Sequence, residues 1–171
     1  MKITFVTALL CGLVSFPAVA DGPGLQDDLL ERLAGTWVLQ GTIASQETTH
    51  DVAAEWVLGH YYLRLHEVSR EHDGDGTPEY EAIVFLARDD APGRYACLWL
   101  DSTGGSGLVA EGIGHATRDG DSLPFVFDDG TGSRIHNTFR YDRETDTWTW
   151  VIDNEREGAR SGFAKVSLRR K

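Results

Sequence analysis

The sequence predicts an all-β protein, an antiparallel up-and-down β-barrel of about ten strands with a short N-terminal helix. Three observations carry this. After Gly35 the chain is a succession of short runs rich in β-branched and aromatic residues. The breaks between them are dense in Asp-Gly, the signature of tight hairpins. No helical pattern stands between any two runs, so parallel crossovers have no connecting element. A meander of this length has to manage its edges, and closing it into a barrel does so best. A two-sheet sandwich is the alternative.

The elements follow in order. Lys2, the apolar run Ile3 to Val14, Pro17 and Ala18-Val19-Ala20 match an export signal with an A-x-A cleavage site. The expected organisation is therefore a signal peptide over 1–20 and one domain over 21–171. The apolar run is too short to span a bilayer. Cys11 lies inside that run, after Leu9 and Leu10, where a lipoprotein site does not fall. The exported product is expected in a periplasm or outside the cell. Leu25, Leu29, Leu30 and Leu33 recur at helical spacing, with Asp27, Asp28, Glu31 and Arg32 between them. This short helix ends at Gly35 and reads as a lid or plug.

Strands are expected over 37–43, 52–58, 61–68, 80–87, 94–100, 108–117, 123–127, 134–141, 147–153 and 161–169. Gly59 marks a tight turn between the second and third. The segments His72 to Pro78, Asp89 to Gly93, Arg118 to Asp121 and Asp128 to Gly132 read as turns. No internal repeat or linker divides the chain, and roughly 150 residues after the signal suffice for a buried core.

Composition narrows the function classes. The formal net charge is −11, and losing Lys2 with the signal makes the chain one unit more negative. The acidic residues are scattered, which favours solubility. With no basic stripe and only Arg169-Arg170-Lys171 clustered, nucleic acid is not an expected partner. No later segment is apolar enough to form a transmembrane helix. Without Cys11, Cys97 has no cysteine to pair with; its run Tyr95 to Trp99 marks it as a small buried hydrophobe.

The run Leu33-Ala34-Gly35-Thr36-Trp37 resembles the opening of calycins, a Gly-x-Trp on the first strand after a short helix. Lipocalins, fatty-acid-binding proteins and nitrobindin-like proteins share it. Further segments extend the resemblance over nearly the whole chain: Trp56-Val57-Leu58-Gly59, Tyr80-Glu81-Ala82, Trp99-Leu100-Asp101-Ser102 and Trp148-Thr149-Trp150. Together they resemble uncharacterised bacterial proteins of the DUF1579 type. The resemblance implies a lipocalin-like barrel whose Trp37 packs across the closed end against an arginine of the last strand, Arg169 or Arg170. It brings no established activity. The nitrobindin-like branch holds haem through a histidine near the C-terminus; Trp148 to Lys171 contains none, which argues against haem by that route.

No constellation names a cofactor or a metal. The six histidines, His50, His60, His66, His72, His115 and His136, show no recognised ligand spacing. On one strand His60 and His66 would stand about 20 Å apart. Asp73-Gly74-Asp75-Gly76 begins like a calcium loop, but position twelve is Val84 where a Glu is required. Gly104-Gly105-Ser106-Gly107 lacks the second glycine and the following helix of a nucleophile elbow. No phosphate-binding glycine fingerprint opens a helix.

What remains is polar and aromatic side chains at strand positions. Arg64, His66, Trp99, Asp101, His115 and His136 are the candidate ligand-binding residues, since small barrels bind with apolar walls and a few inward polar groups. Alternation assigns each to a face without saying which face points inward. The expectation is an exported, non-catalytic binder of a small apolar or amphipathic molecule. The alternatives are an envelope protein-interaction module with a filled core, and a barrel enzyme using His66 or His136 as general base.

Overall fold

The computed structural model describes residues 27–103 and 112–171. The expected signal peptide, Cys11, the first residues of the predicted helix and the Gly104 to Gly107 run lie outside the described residues.

Helix α1 (Asp28–Leu33) precedes ten strands: β1 (Gly35–Ile43), β2 (Gln46–Val57), β3 (Tyr62–Ser69), β4 (Glu81–Arg88), β5 (Arg94–Asp101), β6 (Ile113–Thr117), β7 (Ser122–Asp128), β8 (Ser133–Asp142), β9 (Thr147–Arg156) and β10 (Ala159–Arg170). Every strand pairs antiparallel with its sequence neighbours, and β10 returns to pair with β1, closing the barrel. Closure removes both free edges, so each ladder is satisfied within the chain.

Side chains alternate between solvent and the interior, as a strand's period of two requires. The inward row of β1 is Trp37 and Leu39; that of β3 is Leu63, Leu65 and Glu67. Opposite them stand Phe139 and Tyr141 of β8 and Trp148 and Trp150 of β9. One predicted strand is markedly short. The second begins at Gln46 rather than Val52, because the polar stretch Gln46 to Asp51 pairs residue by residue with β1 from Ile43 to Val38.

Helix α1 stops one end of the barrel. Asp27 caps it, its carboxylate accepting the N–H groups of Leu29 and Leu30 at 3.0 Å. Leu29, Leu30 and Leu33 enter the core with no exposed surface. Trp37 donates its indole N–H to the Leu33 carbonyl at 2.7 Å, tying the helix to the first strand. Tyr95 donates its hydroxyl to Asp27; burial and that carboxylate push the phenol up to about 12.

The cationic partner of Trp37 is Arg170. Its guanidinium lies 4.0 Å from the Trp37 ring centroid and donates to the carbonyls of Ala34 and Arg32 at 2.8 Å. One side chain thus caps the helix C-terminus and covers the indole. Gly35 makes room for it: a Cβ there would stand 2.4 Å from the arginine, and φ is +128°.

Candidate ligand site at the far end of the barrel

The end opposite α1 is built differently. Near this end four successive strands align Phe127, Ile135, Asn154 and Ser161 by direct pairing across β7, β8, β9 and β10. These residues, with Arg134, Glu155, Arg156 and Arg160, line a cleft of about 620 Å³. Its apolar element is Phe127 and the exposed side chain of Ile135. Phe127 is seated against β6, where Gly114 leaves space for the ring; a Cβ on Gly114 would lie 2.7 Å from it.

The charges around the cleft are mostly paired. Glu155 accepts from Arg160 at 3.0 Å and from His136 at 2.8 Å. These donors hold its carboxyl below the usual range, Arg160 contributing most. Arg134 is bonded to Asp128 at 2.7 Å. Arg156 has no ion-pair partner among the described residues. The cleft therefore offers an apolar wall beside one uncommitted cation, a combination suited to a molecule with a hydrocarbon part and an anionic head.

The structure settles which way each sequence candidate faces. Arg64 and His66 lie on the outer face of β3, paired with Glu55 and with Glu81, the latter at 2.6 Å. His115 is on the outer face of β6, 2.8 Å from Asp89. His136 is on the outer face of β8 and touches the cleft only through Glu155. None of these four lines the barrel interior, because the inward positions of their strands are taken by Leu65, Gly114 and Asn137 and their alternate neighbours. Trp99 and Asp101 share the inner face of β5 with Tyr95 and Cys97. Trp99 meets Trp150 edge to face with centroids 6.3 Å apart and donates to the Tyr80 hydroxyl at 3.0 Å. Asp101, at the strand end, accepts the N–H of Thr103 at 2.9 Å.

The interior also holds polar groups that sequence reasoning passed over. His50 and Glu67 are buried and bonded to each other. Asn137 is buried in the inward row of β8, and its Oδ1 has no hydrogen-bond partner among the described residues. A buried acceptor without a donor costs about 1–3 kcal/mol, so it is a place where a ligand's donor group is favoured. The signal for His50 was its alternation with Thr48 and Val52, but its meeting with Glu67 depends on the β2–β3 register, which no local pattern specifies.

No family model matches the chain, and no curated protein matches it. Among solved structures, the crystal structure of Rv2717c from M. tuberculosis is similar, at 16% identity with a TM-score of 0.56, covering 83% of this chain and 94% of that one. This likeness shows the barrel fold alone.

Proposed function

We propose that the protein is an exported carrier of a small amphipathic molecule, bound at the end of the barrel opposite the helix. The observation that carries this reading is the cleft of about 620 Å³, with Phe127 and Ile135 on one side and the uncommitted Arg156 on another. The hydrocarbon part lies along Phe127 and Ile135, and the anionic head meets Arg156. Trp99 and Asp101 border the same end from the facing strand, and His136 acts on it by holding Glu155. Export rests on the Lys2, Ile3 to Val14 and Ala18-Val19-Ala20 pattern.

The test is a titration with an anionic anilinonaphthalene dye, whose fluorescence rises in apolar surroundings, followed by displacement with a long-chain carboxylate. Arg156→Glu weakens binding about tenfold or more through loss of the ion pair and added repulsion, and Ile135→Asp does so by removing the apolar wall. Equal binding by both variants and the native chain would refute the assignment.

A second reading draws on the opposite end. Leu58, Tyr61 and Tyr62 are exposed together around the β2–β3 turn, and Leu58 has a positive φ of 51°. An envelope protein-interaction module would use such a patch. In that case Leu58→Asp abolishes partner capture and leaves dye binding unchanged.

A further inference from the structure

Away from that cleft, β2 and β3 bring together a hydroxyl, an imidazole and a carboxylate. Thr48 and His50 are two apart on β2 and share its inner face. The register sets Val52 opposite Glu67, which places Glu67 diagonal to His50. His50 Nδ1 is bonded to the Glu67 carboxylate, and Nε2 lies 2.7 Å from the Thr48 hydroxyl oxygen. Both His50 and Glu67 are almost wholly buried, at 2% and 3% exposure, so neither can rotate to other partners. Tyr80 stacks on the imidazole with centroids 5.5 Å apart and planes 22° apart, and Trp99 anchors the Tyr80 hydroxyl.

This is the arrangement that activates a hydroxyl. With Nδ1–H donated to the carboxylate, Nε2 carries the lone pair and is placed to accept the Thr48 proton once that hydroxyl turns from Glu71. Thr48 is also accessible: it lines a separate cleft of about 440 Å³ together with Gly41, Thr49 and Glu71.

Glu71 occupies the reacting position. One carboxylate oxygen accepts from the Thr48 hydroxyl at 3.2 Å, and the other accepts from the Thr49 backbone N–H at 3.2 Å. The N–H of the residue after a nucleophile is a usual oxyanion donor in acyl transfer. Burial opposes the charge of Glu71, yet the donors from backbone and Thr48 outweigh it and hold the carboxyl below its ordinary range. The carboxylate therefore sits where the carbonyl group of an ester, or the carboxylate product, would sit. Its own backbone is pinned, the Glu71 carbonyl accepting from Ser69 Oγ at 2.6 Å and Glu79 N at 3.0 Å. Only the side chain has to swing away.

We propose that Thr48, His50 and Glu67 form an acyl-transfer site for small carboxylic esters, held closed by the Glu71 side chain. Thr48 Oγ attacks the ester carbonyl carbon and its proton passes to His50 Nε2. The tetrahedral oxyanion takes the Thr49 N–H that Glu71 vacates. The bond to the alcohol breaks, the alcohol leaves with the proton from His50, and an acyl-threonine remains. Water then attacks the acyl carbon with His50 again as base, releasing the carboxylic acid and restoring Thr48. Glu67 orients the imidazole throughout and does not touch the ester.

The test uses the full chain and p-nitrophenyl acetate, following phenolate release and locating acetyl groups by mass spectrometry. Glu71→Ala raises release about tenfold or more over the native chain, the scale expected of an unblocked nucleophile–base pair. It also places an acetyl group on Thr48. Glu71→Gln, which keeps the size and removes the charge, gives a smaller rise in the same direction. Adding Thr48→Val to Glu71→Ala returns release to the native level with folding intact, because only the hydroxyl is lost; adding His50→Gln does the same. Release that survives Thr48→Val, acetyl groups confined to lysines, or no rise in either Glu71 variant would overturn the proposal.

Discussion

Replacing Arg170 by Ala removes the contacts that seal the helix end of the barrel. The guanidinium stands 4.0 Å from the Trp37 centroid, a contact contributing about 1 kcal/mol at a half-exposed site. Its bonds to the Ala34 and Arg32 carbonyls contribute together about 1 kcal/mol, since water replaces part of each. The Asp146 pair is exposed on both sides and adds little. The loss is about 2 kcal/mol. With a urea m-value of about 2 kcal/mol/M for a domain of this size, the midpoint falls by about 1 M at unchanged m. Arg170→Lys recovers less than half, because an ammonium cannot reach both carbonyls while lying flat on the indole. Urea unfolding followed by tryptophan fluorescence and circular dichroism measures this. A midpoint within about 0.2 M of the native chain would refute the sealing role.

Three further outcomes are expected of the same fold. Gly114→Ala drives a Cβ into the Phe127 ring, costing about 1–3 kcal/mol, and weakens dye binding because Phe127 is displaced into the cleft; thermal unfolding and dye titration check both. Cys97 is buried and burial pushes its thiol well up, so a thiol reagent labels it only in denaturant; labelling at native rates comparable to a free thiol contradicts the packing. Asp51 is held down to about 2 by hydrogen bonds from Arg70 and Lys171, and Asp28 is lowered by Arg118. A depressed carboxyl stabilises the fold above the unfolded value of about 3.9, and that contribution disappears as pH falls towards 2. Urea midpoints are therefore expected to drop over that window, and Asp51→Asn flattens the drop.

Much of the fold was legible because the barrel's local and global demands agree. The Asp-Gly turns, the alternation in Tyr62 to Ser69 and the leucine spacing of α1 each specify an element without help from distant residues. The first half of β2 was not legible. Gln46 to Asp51 is polar throughout, and it is a strand because β1 supplies its hydrogen bonds. The choice between Arg169 and Arg170 also needed the register, which sets Arg170 opposite Trp37. The site was harder for the same reason. Alternation grouped Arg64 with His66, yet both face solvent, whereas Glu67 beside them turns its carboxyl group inward to His50. Hydropathy assigns acidic and imidazole side chains outward, so a buried carboxyl–imidazole pair defeats it until the pairing of strands is known. The cleft is likewise a product of register, assembled from the neighbouring ends of four strands.

The most direct test of the carrier reading is native mass spectrometry of the protein purified from its own compartment, compared with its mass after denaturation. The account predicts a non-covalent adduct of an anionic amphipathic molecule, lost on denaturation and absent from the Arg156→Glu chain. A bare mass in the native spectrum, or an adduct retained by Arg156→Glu, would contradict it.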